Sequence, residues 1–191
     1  MKNMDNIEKL LIVVDMVKGF IDEGNMADNY IDHITDGIEE KIKEYLLEGD
    51  TVMFFNDTHS PQCAEFKKFP PHCIISTPEC QLVDQLLPYQ DEAICYQKNS
   101  TSSIFVPGFL SDIEKMTSLK EVTITGCCSD ICILNMALPL SCYFDQYDRE
   151  VKINVPQNLI ETYNSPDHPR DEYNLMALKL MKQAGIDVEE K

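Results

Sequence analysis

Each of four short apolar runs in this sequence is followed by side chains that can do chemistry. The first run is followed by the carboxylate of Asp15, and the second by the carboxylate of Asp57 and the imidazole of His59. The third run is followed by Lys98, and the fourth by a cysteine-rich segment, residues 126–133. The carboxyl ends of parallel strands lie along one sheet edge, and ligands bind in the crevice outside it. If the four runs are parallel strands, these side chains converge on one site.

Cys132 is the candidate nucleophile among the eight cysteines. It falls in the predicted first turn of a helix, with Ser129 or Asp130 as the N-cap, and a helix N-terminus stabilises a thiolate. A nearby Lys98 would lower the thiol pKa further. Asp15 ends an apolar strand, where a carboxylate needs a partner, and a lysine and a thiol supply one. The remaining cysteines are interpreted as small buried apolar side chains.

Asp57, His59, Glu65 and His72 form a second candidate group, for a divalent metal ion. Residues two apart in an extended segment point the same way, so Asp57 and His59 can reach one ion. The long connection over residues 56–77 can bring Glu65 and His72 over it. Two imidazoles with one or two carboxylates suit zinc, iron, manganese or nickel at a catalytic or substrate-binding site. By spacing alone, it is an equally good interpretation that Asp57 and His59 only satisfy backbone groups of the loop.

The two other histidines, His33 and His168, lack such a context and are interpreted as structural.

The order of elements predicts the fold. Short β-branched runs alternate with helical patterns: strands at residues 10–14, 51–55, 93–96, 121–125 and 151–155, and helices at residues 30–47, 79–87, 108–116, 130–144 and 171–184. Such an order predicts an α/β protein, a three-layer α/β/α arrangement with a mostly parallel, Rossmann-like sheet. Residues 1–191 are expected to form a single domain. Pro139 should kink or restart the fourth helix.

Composition excludes several classes of partner. With 33 acidic and 16 basic side chains the net charge is −17, which argues against nucleic acid and anionic membranes. Apolar runs fall short of the roughly 18 residues of a membrane span, and the N-terminal residues do not resemble a signal peptide. We therefore expect a cytoplasmic protein with reduced thiols. The lack of a CxxC pair argues against a thioredoxin-like motif and a zinc ribbon.

Over nearly the whole chain, these segments resemble the isochorismatase-like cysteine hydrolases, and within them the nicotinamidases. The family's aspartate, lysine and cysteine segments are similar to residues 12–15, Lys98 and residues 126–133. Its metal segment resembles Asp57-Thr58-His59 and residues 69–73, Phe-Pro-Pro-His-Cys. Residues 16–19 and 101–104 depart from the family pattern. This difference affects the expected shape of the substrate pocket and not the chemistry.

The resemblance implies hydrolysis of nicotinamide to nicotinate and ammonia through a thioester on Cys132, a step of NAD salvage. In this account Asp15 takes the thiol proton and Lys98 stabilises the thiolate. The backbone N–H groups of Cys128 and Cys132 hold the oxyanion, and a cis peptide bond joins Cys127 to Cys128.

The resemblance also implies a metal ion, zinc first with iron, manganese or nickel as alternatives, that orients the pyridine ring. Its ligands would be Asp57, His59 and His72, with Glu65 where many relatives carry a third histidine. Phe20 and Phe69 would sandwich the ring. The expected partners are the small-molecule substrate and further copies of the chain in a homo-oligomer.

Two alternatives remain open at this point. One is a metal-independent cysteine amidohydrolase of the same family, acting on an N-carbamoyl or ureido compound. The other is a non-catalytic thiol- or metal-sensing protein on the same fold.

Overall fold

A computed structural model describes residues 4–188 and shows, within them, a parallel sheet of six strands. The strands are β1 (Lys9–Val14), β2 (Thr51–Asp57), β3 (Ile94–Lys98), β4 (Glu121–Cys127), β5 (Lys152–Asn154) and β6 (Ile160–Glu161). Their order is β3-β2-β1-β4-β5, and β6 pairs with the end of β4. The predicted parallel α/β fold is confirmed. The sequence pattern did not predict β6, which is only two residues long.

The α-helices of residues 4–188 are α1 (Lys18–Ile21), α2 (Thr35–Glu48), α3 (Phe109–Lys115), α4 (Leu134–Gln146) and α5 (Arg170–Gln183). A 3-10 turn at Asn29–Ile34 leads directly into α2, so the predicted helix at residues 30–47 begins as a 3-10 turn. Within the described residues no helix has the length and apolar character needed to cross a bilayer.

Strand β1 shows how the three layers are held together. Leu10, Ile12 and Val14 belong to an apolar cluster with side chains of α3, α4 and α5. Leu11 and Val13 belong to a second cluster with side chains of α2. Alternate residues of a strand point to opposite faces, so an uninterrupted apolar strand is buried on both sides. Helices therefore cover both faces of the sheet, as predicted.

The helix predicted at residues 79–87 is wrong. The segment instead contains a 3-10 turn at Pro78–Cys80, and Leu82 forms an antiparallel bridge with Val17. The N–H of Lys18 donates to the Gln81 carbonyl, and the N–H of Val83 donates to that of Met16. Since these backbone groups bond to the loop after β1, they are not available for a helix.

Helix α4 runs unbroken through Pro139, so the predicted restart does not occur. Proline lacks the N–H that would bond to the carbonyl four residues earlier, here that of Asn135. The Ser102 hydroxyl donates to this carbonyl at 2.8 Å. A side chain from outside the helix thus replaces the missing hydrogen bond.

All eight cysteines are free thiols in the structure. Cys95 and Cys142 are exposed and Cys80 is half-buried, so the prediction that they are buried is wrong for these three.

Candidate active site

The predicted side chains converge at the carboxyl edge of the sheet. Asp15 comes directly after β1, while Asp57 and Lys98 are the last residues of β2 and β3. Asp57 pairs with Lys98 in the register of these neighbouring strands, and Cys132 lies in the turn after β4. All four side chains are buried. Residues more than a hundred positions apart thus form one group, as the parallel order of the strands predicted.

Lys98 lies at the centre of this group. Its Nζ is 2.7 Å from Asp15 Oδ2 and 3.6 Å from Cys132 Sγ, and it also contacts Asp57 Oδ1. Asp15 Oδ1 accepts the backbone N–H of Asp57 at 2.9 Å. Ligating atoms of Asp15, Asp57 and Cys132 all lie within 4.8 Å of one another. One ammonium therefore faces two carboxylates and a thiol in a region shielded from water.

The close approach of β1 and β4 brings the cysteine turn to Asp15. Gly126 has φ +112°, and a Cβ on it would lie 2.0 Å from the Val14 carbonyl oxygen, so only glycine fits. Asp15 itself has φ +56°, a left-handed conformation that costs a non-glycine residue about 1–2 kcal/mol. The Cys127 thiol donates to the Asp15 carbonyl at 3.1 Å.

Burial and charge set the protonation of the two carboxylates in opposite directions. Burial, together with the nearby charge of Asp57, raises the pKa of Asp15 to about 7, although Lys98 opposes this. Burial also acts to raise the pKa of Asp57, but Lys98, His59 and His72 outweigh it and hold that pKa below its ordinary value. Asp57 is therefore the permanent anion, and Asp15 can gain or lose a proton near neutral pH.

The predicted low pKa of Cys132 is wrong. Burial raises the pKa of this thiol well above its ordinary value, and Lys98 only partly offsets the effect. The two carboxylates act in the same direction as burial. The resting cysteine is consequently a neutral thiol, which must lose its proton to a base in order to attack a substrate.

The turn that carries Cys132 is a π-helical turn, Ser129–Ile133, which leads into α4. The peptide bond between Cys127 and Cys128 is cis, as the family resemblance implied. The predicted N-cap is wrong, because Cys128 occupies that position and no side chain caps the turn. Ser129 donates instead to the Asn174 side chain, and Asp130 accepts from Thr162 and His168.

Asp57, His59 and His72 form a second close group, with ligating atoms within 4.8 Å of one another. Asp57 Oδ2 lies 3.4 Å from Nε2 of His59 and 3.6 Å from Nε2 of His72. Nδ1 of His72 faces the Pro70 carbonyl at 2.8 Å, and Nδ1 of His59 faces Asn99 Oδ1 at 3.1 Å. Carbonyl oxygens only accept, so Nδ1 of each ring carries a proton, and Nε2 is the nitrogen placed to bind a metal ion.

The donors of this group fit a divalent metal ion. Among residues 4–188, Nε2 of His59 is buried and lacks a hydrogen-bond partner, which leaves a polar atom unsatisfied. Two imidazole nitrogens and a carboxylate oxygen are common ligands of zinc and related metals. Burial acts to lower the pKa of His59, but Asp57 outweighs it and raises that pKa to about 9.

Glu65 lies outside the close group of three. Its Oε2 accepts the Thr101 N–H at 3.2 Å, and it lines the same pocket as Asp57 and His72. Phe20 and Phe69, the two predicted aromatic residues, also line this pocket, together with Cys128 and Cys132.

Sequence reasoning missed two residues that support the site. Asn99 fixes the tautomer of His59, and its Oδ1 also accepts the Ser60 N–H, which sets the orientation of the amide. Its position directly after Lys98 at the end of β3 could have indicated that Asn99 lies near the site. His168 contacts Asp130 in the cysteine turn. The two residues are 38 positions apart, so no local sequence pattern predicts this contact.

The fold and the site define a class, three-layer α/β proteins with a buried carboxylate–lysine–thiol group at the strand ends. The chain belongs to the isochorismatase domain family, whose model matches residues 9–190.

Three similar proteins are described by their sequence identity to this chain and by the share of each chain that is covered. Nicotinamidase 1 of Arabidopsis thaliana is 33% identical over 144 residues, 65% of this chain and 57% of that protein, so the match spans less than two thirds of the relative's length. The crystal structure of a nicotinamidase from Bacillus subtilis is 26% identical, with a TM-score of 0.77 and coverage of 96% of this chain and 100% of that one. A pyrazinamidase of Pyrococcus horikoshii in complex with zinc, 22% identical, shares the fold, with a TM-score of 0.77 and coverage of 96% and 99%.

Proposed function

We propose that this protein is a nicotinamidase, which hydrolyses nicotinamide to nicotinate and ammonia. The observation that carries the proposal is that two buried groups, Asp15–Lys98–Cys132 and Asp57–His59–His72, adjoin one pocket, which is lined by Cys132, Asp57 and His72. The nicotinamidases among the relatives support the substrate. The aromatic side chains of Phe20 and Phe69 suit a flat heteroaromatic ring.

The first half of the reaction forms a thioester. The Asp15 carboxylate takes the proton of the Cys132 thiol as sulfur attacks the carboxamide carbon, which avoids a free buried thiolate. Lys98, 3.6 Å from the sulfur, stabilises the negative charge that develops there. Asp15 then gives the proton to the departing nitrogen, the carbon–nitrogen bond breaks, and ammonia leaves.

Backbone N–H groups of Cys128 and Cys132 would stabilise the tetrahedral oxyanion. Such donors act in the transition state, and removing one typically lowers kcat by about 10²–10³. In the second half of the reaction Asp15 takes a proton from water, whose oxygen attacks the thioester. Release of nicotinate returns the proton to Cys132.

Asp57, His59 and His72 would hold a divalent metal ion, zinc first, with Glu65 as a further ligand. When bound, the ion supplies a Lewis-acidic centre that binds the pyridine nitrogen and orients the ring. Phe20 lies 5.4 Å from the His72 ring, centroid to centroid, so the proposed aromatic wall adjoins the ligand group.

Ammonia release from nicotinamide by purified protein tests the proposal. We expect turnover that falls on chelation and returns when zinc, iron, manganese or nickel is added back, and we expect none from Cys132→Ala. Full activity after the metal has been removed, or a preference for N-carbamoyl amides over nicotinamide, would favour the metal-independent amidohydrolase instead.

A further inference from the structure

We propose that His168 is a positioning residue for the cysteine turn, acting through Asp130. This inference rests on the proposed function, because the turn matters through the backbone N–H groups of Cys128 and Cys132. Asp130 lies between those two residues and its side chain is only 8% exposed. Hydrogen bonds from other elements to this carboxylate can therefore fix the geometry of the turn.

Both oxygens of Asp130 are held by residues that follow β6. Oδ1 accepts the Thr162 hydroxyl at 2.6 Å, and Oδ2 lies 2.9 Å from Nε2 of His168. The neighbouring Ser129 hydroxyl donates to Asn174, whose amide in turn donates to Glu161. The turn is therefore attached at two consecutive residues to the segment over residues 161–174.

Both ring nitrogens of His168 face hydrogen-bond acceptors, and both faces of its ring are packed. Nε2 faces a carboxylate, and Nδ1 faces the Tyr163 carbonyl oxygen at 3.1 Å. These two contacts fix the orientation of the ring, with Nε2 towards Asp130. It lies between the rings of Tyr163 and Tyr173, at centroid distances of 4.0 and 3.6 Å. The ring is therefore held from several sides, and its Nε2 is kept at hydrogen-bond distance from the Asp130 carboxylate.

Loss of this hydrogen bond should affect the transition state more than substrate binding. The two proposed oxyanion donors are needed only when the carbonyl oxygen becomes negative, so a small displacement of the turn lowers kcat and leaves KM nearly unchanged. We expect a decrease of about 10-fold, smaller than the 10²–10³ for outright loss of a donor, because the turn stays in place and only loses precision.

Two substitutions of His168 separate the hydrogen bond to Asp130 from simple packing. His168→Phe keeps a flat ring between the two tyrosines and removes the donor to Asp130. His168→Gln keeps an amide donor close to the position of Nε2. We expect kcat for nicotinamide to fall about 10-fold in His168→Phe and clearly less in His168→Gln, with KM within about 2-fold of the parent in both. Tyr143→Phe, which removes a hydroxyl donor to Glu114 between α4 and α3, is the matched control and should keep full activity.

Alkylation of Cys132 by iodoacetamide gives a second readout, because this reaction forms no oxyanion. The positioning role predicts an unchanged alkylation rate in both His168 variants. A parent-like kcat in His168→Phe would overturn the proposal, and so would an equal fall of kcat and alkylation rate, which indicates a general disturbance of the site. If His168→Phe does not fold, Asp130→Asn weakens the same hydrogen bond with little change of shape and is judged by the same two measurements.

Hydrogen exchange separates failure of this inference from failure of the proposed function. If the parent protein does not hydrolyse nicotinamide, the proposed function is wrong whatever His168 does. Amide exchange in a peptide covering residues 126–134 still tests the turn. Faster exchange there in His168→Phe, with protection retained in His168→Gln, supports the positioning role, and unchanged exchange in both variants refutes it.

Discussion

The ion pair between Asp57 and Lys98 joins the thiol group to the imidazole group. Asp57 presents Oδ1 to the Lys98 ammonium and Oδ2 to Nε2 of both His59 and His72. The same ammonium contacts Asp15 and approaches Cys132. A change of charge in either group therefore acts on the other through a single carboxylate.

Lys98→Met should destabilise the protein strongly. It leaves Asp15 and Asp57 buried without their cation, and breaking a buried ion pair on one side costs about 3–5 kcal/mol. Lys98 also lowers the pKa of Asp15, so its removal raises that pKa further. A protonated Asp15 carries no charge to bury. In urea unfolding, the free energy of unfolding of Lys98→Met should therefore fall further below that of the parent at pH about 8 than at pH about 6. Equal decreases at the two pH values would contradict the account.

The pH profile should report Asp15 as the base. Because burial raises its pKa to about 7, the reactive carboxylate exists mainly above neutral pH. We expect kcat/KM to fall about tenfold for each pH unit below the pKa. Metal content is measured at every pH, so that loss of the ion is not mistaken for titration of the base. Asp15→Asn should be inactive throughout, and a flat profile in the metal-loaded parent would show that Asp15 is not the titrating group.

Asn99→Ala should weaken metal binding. Asn99 Oδ1 accepts from Nδ1 of His59, and loss of such a partner of a metal ligand typically costs 10–100-fold in affinity, on the order of 1–3 kcal/mol. Competition with a chelator measures the affinity directly. Gln97→Ala, an exposed position on β3, serves as the control. Unchanged affinity in Asn99→Ala would mean that the tautomer of His59 does not depend on this amide.

Gly126→Ala should show how closely β1 and β4 approach. The new Cβ would lie 2.0 Å from the Val14 carbonyl oxygen at a φ of +112°. We expect the free energy of unfolding to fall by roughly 4 kcal/mol or more, by overlap and backbone strain together. Gly185 has φ +81°, and a Cβ on it would have nothing within 4 Å. The free energy of unfolding of Gly185→Ala should therefore fall by only about 1 kcal/mol. Similar losses in the two variants would argue against the close contact.

The sequence predicted the features that depend on strand order. Asp15, Asp57 and Lys98 each end an apolar run, and parallel pairing brings such ends together without knowledge of packing. It failed where distant backbone groups decide the outcome. Residues 81–83 bond to the loop after β1 instead of forming a helix.

The electrostatics of the site could not be predicted from local sequence for a related reason. The pKa of Cys132 depends on how completely the surrounding elements exclude water, and local sequence shows only its position near a lysine and a helix start. His168 was interpreted as structural because its contact with Asp130 is not visible until the chain folds.

Mass spectrometry of the protein, acid-quenched during turnover of nicotinamide, tests the central claim most directly. The account predicts a species heavier by one nicotinoyl group in place of the thiol hydrogen, located on the peptide that contains Cys132 and released by hydroxylamine. Continued turnover by Cys132→Ala, or turnover by the parent with the acyl group on another residue, would contradict it.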